Sequence, residues 1–268
     1  MERIAFQVGG LTIYWYGVFV SLGFILAYLF MHWRVRKTDI PKQKVSDLCF
    51  AAMIGGIVGA RFFYVLLNFD QYSDDLWEII RIDHGGLVFY GGFFGAVATL
   101  IYLIKKNNLN LPETADLLGL ALPLGQAFGR IGCFINGCCF GSPSNSKLSI
   151  HYSSNNSVLS TQIHQHLIPP DALEPLAVFP VQLVQSGTNL AIWFSMLLIS
   201  SRLKYKGQLF SLYLILYSMG RFMVEFKRGD YLERYIGLTI SQIICILLFP
   251  FGILLFYKAK SLASKKGG

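Results

Sequence analysis

The chain has little charge. Asp, Glu, Lys and Arg make up 14% of its 268 residues, against roughly 25% in soluble globular proteins. A water-soluble domain is therefore excluded as the whole of it. Histidine is scarce, with five residues, and cysteine pairs spaced for a four-ligand structural zinc site are missing. No small-residue cleavage site clearly follows the first apolar run, and Glu2 and Arg3 stand early, so that run is expected to be retained as the first anchor. Acidic residues are outnumbered, and the formal net charge is +8. Beside membrane helices such an excess reports insertion topology, so no nucleic-acid partner is expected.

What is abundant is apolar. Hydrophobic residues reach 54%, mean hydropathy is +0.50, and runs of about 20 residues recur, each sufficient to cross a hydrocarbon core of roughly 30 Å as a helix. Seven segments qualify: Leu11 to Trp33, Leu48 to Leu67, Gly85 to Ile104, Leu117 to Ile135, Val181 to Ser201, Gly207 to Phe226 and Gly237 to Tyr257. The expected fold is an all-α polytopic membrane protein of seven transmembrane helices, with residues 1–268 as one integral membrane domain.

Basic residues set the orientation. RVRKTDIPKQK after the first span holds five Lys/Arg, and KKNNLN, SRLKYKG and KAKSLASKKGG hold two, three and four. These segments are expected on the cytoplasmic side, which puts the N-terminus outside and the C-terminus in the cytoplasm. NFDQYSDDLWEIIRIDHGG carries one Arg among five acids, and Gly141 to Pro180 carries only Lys147. Both are expected outside, and residues 141–180 are long enough for a small extracytoplasmic head between spans four and five, without a low-complexity run or strong strand alternation. FKRGDYLER breaks the trend, with three basic residues on the outer side.

Small-xxx-small patterns occur in GGIVGA at Gly55 to Ala60, in GGFFGA at Gly91 to Ala96, and at Gly125 with Gly129. They predict close helix packing. Their flanks do not match, so an inverted-repeat transporter is disfavoured.

Depth, counted at about 1.5 Å per residue, sorts the polar residues. Tyr16, Arg61, Tyr90, Arg130 and Arg221 all fall in the outer half of their spans, and Asn136 and Glu225 end the fourth and sixth. Residues from five helices therefore meet at one depth. An Arg in a membrane helix costs about 2.5 to 3.5 kcal/mol at the centre and less toward the interface, so three need compensation. Each can cap a helix end or snorkel to lipid phosphates, and for Arg61 that reading stays open. Tyr217, Arg221 and Glu225 recur every four residues and share a face, with one carboxylate to offset one guanidinium. The remaining positive charge suits an anionic lipid head group, because a planar guanidinium pairs bidentately with phosphate oxygens.

Cys133, Cys138 and Cys139 offer three thiols, but the spacing and the scattered His84, His151, His164 and His166 point away from a metal. Disulfide pairing stays open on an oxidising outer face, although adjacent Cys138 and Cys139 are poorly placed to pair with each other. Cys49 and Cys245 lie inside spans and read as packing residues. GRIGCFINGCCFG reads mainly as a tight turn with close helix approach.

These motifs resemble the prolipoprotein diacylglyceryl transferase family of bacterial inner membranes. The resemblance runs through WYG at Trp15 to Gly17, GARFFYV at Gly59 to Val65, GGLVFYGG at Gly85 to Gly92, GRIGCFINGCCFG, FPVQL at Phe179 to Leu183, YSMGRFMVEFKRGD at Tyr217 to Asp230 and GLTISQ at Gly237 to Gln242. It implies transfer of the diacylglyceryl group of phosphatidylglycerol to the lipobox cysteine of a prolipoprotein, forming a thioether and releasing glycerol phosphate. It further implies a multi-pass inner-membrane protein whose partners are phosphatidylglycerol, lipobox peptides and membrane lipids, with no cofactor and no metal.

On that reading Arg130 and Arg221 hold the departing phosphate, with Arg61 in support. Tyr16, Asn136 and Tyr217 orient the head group, Gly141 permits close backbone approach, and Glu225 positions Arg221 or accepts a proton. The nucleophile is the substrate's own thiol, whose ordinary pKa of about 8.5 calls for a positive field or a base. The chain departs from the pattern in three places: Tyr90 stands where some members have histidine, Cys133 and Cys138 where some have asparagine and glutamate, and Gln185 where glutamate is common. Tyr90, a phenol of pKa about 10, is expected to donate a hydrogen bond or relay a proton; His84 is an alternative base. An anion or lipid transporter and a structural assembly protein are the competing classes.

Overall fold

The computed structural model describes residues 3–9, 11–72, 76–81, 85–153, 157–230 and 235–264. Strands β1 (Ile4–Val8) and β2 (Leu11–Tyr14) precede eight helices: α1 (Trp15–Arg34), α2 (Lys42–Leu67), α3 (Phe89–Lys106), α4 (Leu111–Asn136), α5 (Ser157–His164), α6 (Val181–Ile199), α7 (Gln208–Glu225) and α8 (Ile240–Ser264). A helix therefore forms in each of the seven apolar segments, and α5 is added in the connection after α4. The segments Trp15–Lys37, Lys42–Leu67, Leu111–Asn136 and Ile240–Ser261 are long and apolar enough to cross a membrane. Helices α3, α6 and α7 carry more polarity, in Lys105 and Lys106, in Gln182, Gln185 and Asn189, and in Gln208, Arg221 and Glu225. Along α2, Phe50, Ile54, Val58, Phe62 and Leu66 recur every four residues and are all exposed, an apolar stripe of the kind lipid covers.

The first apolar segment starts four residues late as a helix. Its residues LTIY alternate and are β-favouring, and they pair antiparallel with β1 in the register Phe6 with Ile13 and Gln7 with Thr12. Gly9, at φ +56°, supplies the turn conformation that other residues resist.

The chain divides into two compact units, Met1–Phe30 with Ala115–Gly268, and Met31–Thr114. In the second, α2 packs on α3 through the glycine patterns: a Cβ at Gly59 would lie 2.5 Å from the Gly91 carbonyl oxygen and 2.9 Å from the Gly95 Cα. Hydrophobic burial does not drive helices together in lipid, and such backbone contact does. The α2–α3 connection is gathered by Arg61. Its Nε donates to the Ile79 carbonyl (2.8 Å), Nη1 to those of Gly85 (2.8 Å) and Gly86 (3.2 Å), and Nη2 to that of Glu78 (2.5 Å). Tyr64 and Tyr72 flank the guanidinium with their rings.

In the first unit, Leu120 of α4, Ile192 and Met196 of α6, and Leu209, Tyr213 and Leu214 of α7 form the buried core. Helix α1 meets α4 where a Cβ on Gly23 would come within 2.8 Å of the Gly125 carbonyl oxygen; of the expected pair Gly125 and Gly129, the latter has open space beside it. Asp116 on α4 fixes the start of α7: its carboxylate accepts the N–H groups of Gly207 (2.6 Å) and Phe210 (2.8 Å), placing an anion on free donors at a helix N-terminus. Beyond α4, Phe140, Tyr152, Val158 and Val178 form a second buried cluster with Ile150 packed against it. Gly141 N–H bonds the Phe179 carbonyl and Ser142 N–H that of Lys227.

Candidate active site

Three helix ends build the site. Helix α4 stops at Asn136 because Gly137, at φ +71°, takes the left-handed position after it. Cys138 N–H then bonds the Cys133 carbonyl (3.2 Å) and Gly137 N–H that of Phe134 (3.3 Å), the paired bonds of a Schellman cap. Cys139 is left-handed too, at φ +56°. This turn brings the sulfurs of Cys133, Cys138 and Cys139 within 4.8 Å of one another. All five cysteines are free thiols.

The start of α8 is a reciprocal capping box. Gln242 Oε1 accepts Thr239 N–H at 3.0 Å, and Thr239 Oγ1 accepts Gln242 N–H at 3.3 Å, so the TISQ of the sequence is a helix-start signal. It also delivers partners to α7. Thr239 Oγ1 donates to Glu225 Oε1 at 2.8 Å, and Ser241 accepts from Arg221 Nη2 at 3.1 Å. Arg221 pairs with Glu225 at 2.7 Å and reaches Gln185 at 3.4 Å. Arg228 completes the network, 3.7 Å from Glu225 and joined through both ends of its guanidinium to Asp230 at 2.9 and 2.6 Å. Arg221, Glu225 and Arg228 are all buried, and the two carboxylates offset the two guanidiniums.

Arg130 is different. Half-buried on α4, it makes no hydrogen bond and no ion pair among the described residues, and Tyr16, Tyr217 and Cys139 all lie within its electrostatic reach. Arg221 reaches Tyr217 as well. Beside them opens a cleft of about 660 Å³ lined by Arg3, Thr12, Tyr14, Tyr16, Gly17 and Asn136, within the 300 to 1,000 Å³ range of small-molecule sites. Arg3 presents a buried Nε with no hydrogen-bond partner among the described residues.

Of the residues anticipated from sequence, Arg130 acts on Tyr16 and Tyr217, Arg221 on Tyr217, and Glu225 pairs with Arg221. Asn136 reaches the cleft and hydrogen-bonds Cys138. Gly141 lies where a Cβ would strike the Phe179 carbonyl and come 3.0 Å from that of Lys227, so close backbone approach is its local property. Arg61 and Tyr90 belong to the other unit, Arg61 turned to the loop carbonyls described above and Tyr90 exposed in the first turn of α3 against Phe89. His84 lies outside the described residues. Sequence reasoning missed Arg228 with Asp230, Thr239, Ser241 and Arg3. The capping-box spelling and the basic exception in FKRGD were the available signals for most of them.

Just beyond α4, hydrogen bonding with the Cys133 and Cys138 thiols holds the Cys139 thiol well below the ordinary range, and Arg228 and Arg130 add positive potential. Burial pushes the Tyr152 hydroxyl up to about 12, so it remains a donor to the Phe134 carbonyl at 2.9 Å. Gln182 Nε2 holds the Cys138 carbonyl at 2.9 Å.

Residues 3–258 match the family model described as prolipoprotein diacylglyceryl transferase. The chain belongs to that family. Similar proteins are the phosphatidylglycerol–prolipoprotein diacylglyceryl transferase of Finegoldia magna, 36% identical over 97% of this chain and 96% of the relative, and that of Clostridium tetani, 30% identical over 96% and 97%. A transferase numbered 2 from Clostridium perfringens is 32% identical over 100% and 99%. The matched residues include every one that lines the cleft.

Proposed function

We propose that the chain transfers the diacylglyceryl group of phosphatidylglycerol to the lipobox cysteine of prolipoproteins, with Arg130 as the principal ligand of the reacting phosphate. The carrying observation is the contrast among the arginines: Arg61, Arg221 and Arg228 direct their donors to protein oxygens, while Arg130 has no such partner among the described residues and lies within electrostatic reach of Tyr217 and of Tyr16, which lines the cleft.

The chemistry follows from that charge. Attack of the substrate sulfur on the glyceryl carbon breaks a carbon–oxygen bond and leaves the electron pair on glycerol phosphate. A fixed guanidinium in a water-poor site stabilises that developing charge without reorganising. Arg221, held by Glu225 on α7, acts on Tyr217 as well. Tyr16, Tyr217 and Asn136 donate hydrogen bonds to the head group, and Arg61 secures the α2–α3 connection. All seven long helices cross the bacterial inner membrane, with the N-terminus outside, the C-terminus cytoplasmic and residues 141–180 as the outer head. The basic segments after α1, α3 and α6 support this orientation.

The test is a proteoliposome assay with phosphatidylglycerol and a lipobox peptide, read by mass spectrometry for the thioether and by release of glycerol phosphate. Wild-type protein is expected to give both, and Arg130→Ala to lose at least about a hundredfold, the size of one lost transition-state donor. Flux of lipid across the vesicles with no covalent product would instead establish a transporter.

A further inference from the structure

We propose that Cys133, Cys138 and Cys139 form a three-thiolate site for a zinc-class cation whose fourth position takes the thiol of the incoming substrate. The three sulfurs lie within 4.8 Å of one another. Zinc–sulfur bonds of about 2.3 Å in tetrahedral geometry require neighbouring sulfurs somewhat under 4 Å apart, so the set has to close by about 1 Å at most. The arrangement is built by the backbone. The Schellman cap places Cys138 over Cys133, its usual contact across such a turn, and left-handed Cys139 turns the next sulfur back toward both. Gln182 fastens the Cys138 carbonyl, and the Tyr152 hydroxyl fastens that of Phe134.

The donor set decides the class of ion. Three thiolates are soft ligands that select zinc over calcium or magnesium, and the ion with three thiolates carries one net negative charge. Arg130 lies within electrostatic reach of Cys139 and offsets it. Three protein ligands leave one position of a tetrahedral zinc open, the pattern of catalytic sites. The ligand of matching softness in the proposed reaction is the nucleophile itself.

Its role rests on the transferase reading, although its existence does not. On binding the ion, the substrate thiol passes its proton to water. Sulfur then bonds to the glyceryl carbon while that carbon's bond to the phosphate oxygen breaks, and the pair leaves with glycerol phosphate beside Arg130. The site would thus supply the thiolate that a side-chain base otherwise has to generate.

The test uses the full chain in detergent, reduced and freed of metal by a chelator, then dialysed against Zn²⁺ alone. About one zinc per chain is expected. Cys133→Ser, Cys138→Ser and Cys139→Ser should each weaken binding at least about tenfold, and Cys49→Ser, buried elsewhere, should not. Co²⁺ in place of Zn²⁺ should give a thiolate-to-metal charge-transfer band that shifts when a cysteine peptide is added and does not shift with its serine analogue. No stoichiometric zinc, zinc held equally well by Cys138→Ser, or a cobalt band indifferent to the peptide thiol would each overturn the proposal. Because these measurements need no turnover, zinc-loaded protein that binds as expected yet forms no thioether would refute the transferase reading and leave the metal site standing.

Discussion

The Thr239 hydroxyl donates to Glu225 Oε1 at 2.8 Å while accepting the Gln242 N–H at 3.3 Å. One side chain thereby starts α8 and orients the carboxylate that holds Arg221. Thr239→Val keeps the shape and removes both bonds, leaving a buried carboxylate oxygen and a helix N–H without partners. The expected loss is about 1 to 3 kcal/mol, seen as a lower midpoint in thermal unfolding and a fall in transfer rate. Thr239→Ser retains the hydroxyl and should recover most of both.

Much of this was readable beforehand, for reasons that differ by element. The seven helices show because runs of about 20 apolar residues have few other uses. Helical rise converts position into depth, which puts Tyr16, Arg61, Tyr90, Arg130 and Arg221 in the outer half of their spans and Asn136 and Glu225 at span ends; of these, Arg221 pairs with Glu225 and Arg130 acts on Tyr16, while Arg61 and Tyr90 belong to the other unit. The division of labour among the arginines was not readable. Whether a guanidinium meets a carboxylate, a loop carbonyl or nothing depends on tertiary geometry, which set Arg221 against Glu225 and Arg61 against the Gly85 carbonyl. The cysteine cluster hid for a subtler reason: a five-residue spacing separates thiols on a continuing helix and joins them across a cap, and Gly137 decides which applies.

Packing of α2 on α3 gives a prediction with its control one turn away. At Gly59 even a methyl group would press on the Gly91 carbonyl and the Gly95 Cα, whereas at Gly56 it would meet only atoms 3.6 and 3.7 Å away. Gly59→Ala should part the helices and lower stability by about 1 to 3 kcal/mol. Gly56→Ala should be neutral or slightly stabilising, since alanine favours helix by up to about 1 kcal/mol over glycine. Thermal unfolding in detergent compares the two directly, and equal midpoints would rule out backbone contact at Gly59.

Arg3 enters the cleft from the hairpin and carries a buried Nε without a hydrogen-bond partner among the described residues. Such a donor gains most from an anion that reaches it. Arg3→Ala should therefore raise the KM for phosphatidylglycerol about tenfold, the loss of one charge-assisted hydrogen bond, while kcat changes little. A reversed pattern, with kcat lowered and KM untouched, would place Arg3 at the breaking bond rather than at the head group.

The pH dependence of cysteine reactivity probes the same turn. Hydrogen bonding with the Cys133 and Cys138 thiols lowers the Cys139 thiol, with Arg228 and Arg130 adding positive potential. A lowered pKa means that the thiolate persists as pH falls. An ordinary thiol of pKa about 8.5 loses close to tenfold in alkylation rate for each unit below that value. In chelator-treated protein, the rate at which Cys139 reacts with iodoacetamide should fall less steeply than this from about pH 8 to pH 6, followed by mass spectrometry of the peptide. Cys133→Ser and Cys138→Ser each replace a thiol with a differently placed hydroxyl and should restore part of the slope. A tenfold decline per unit in the wild-type protein would show that the three sulfurs do not share a proton network.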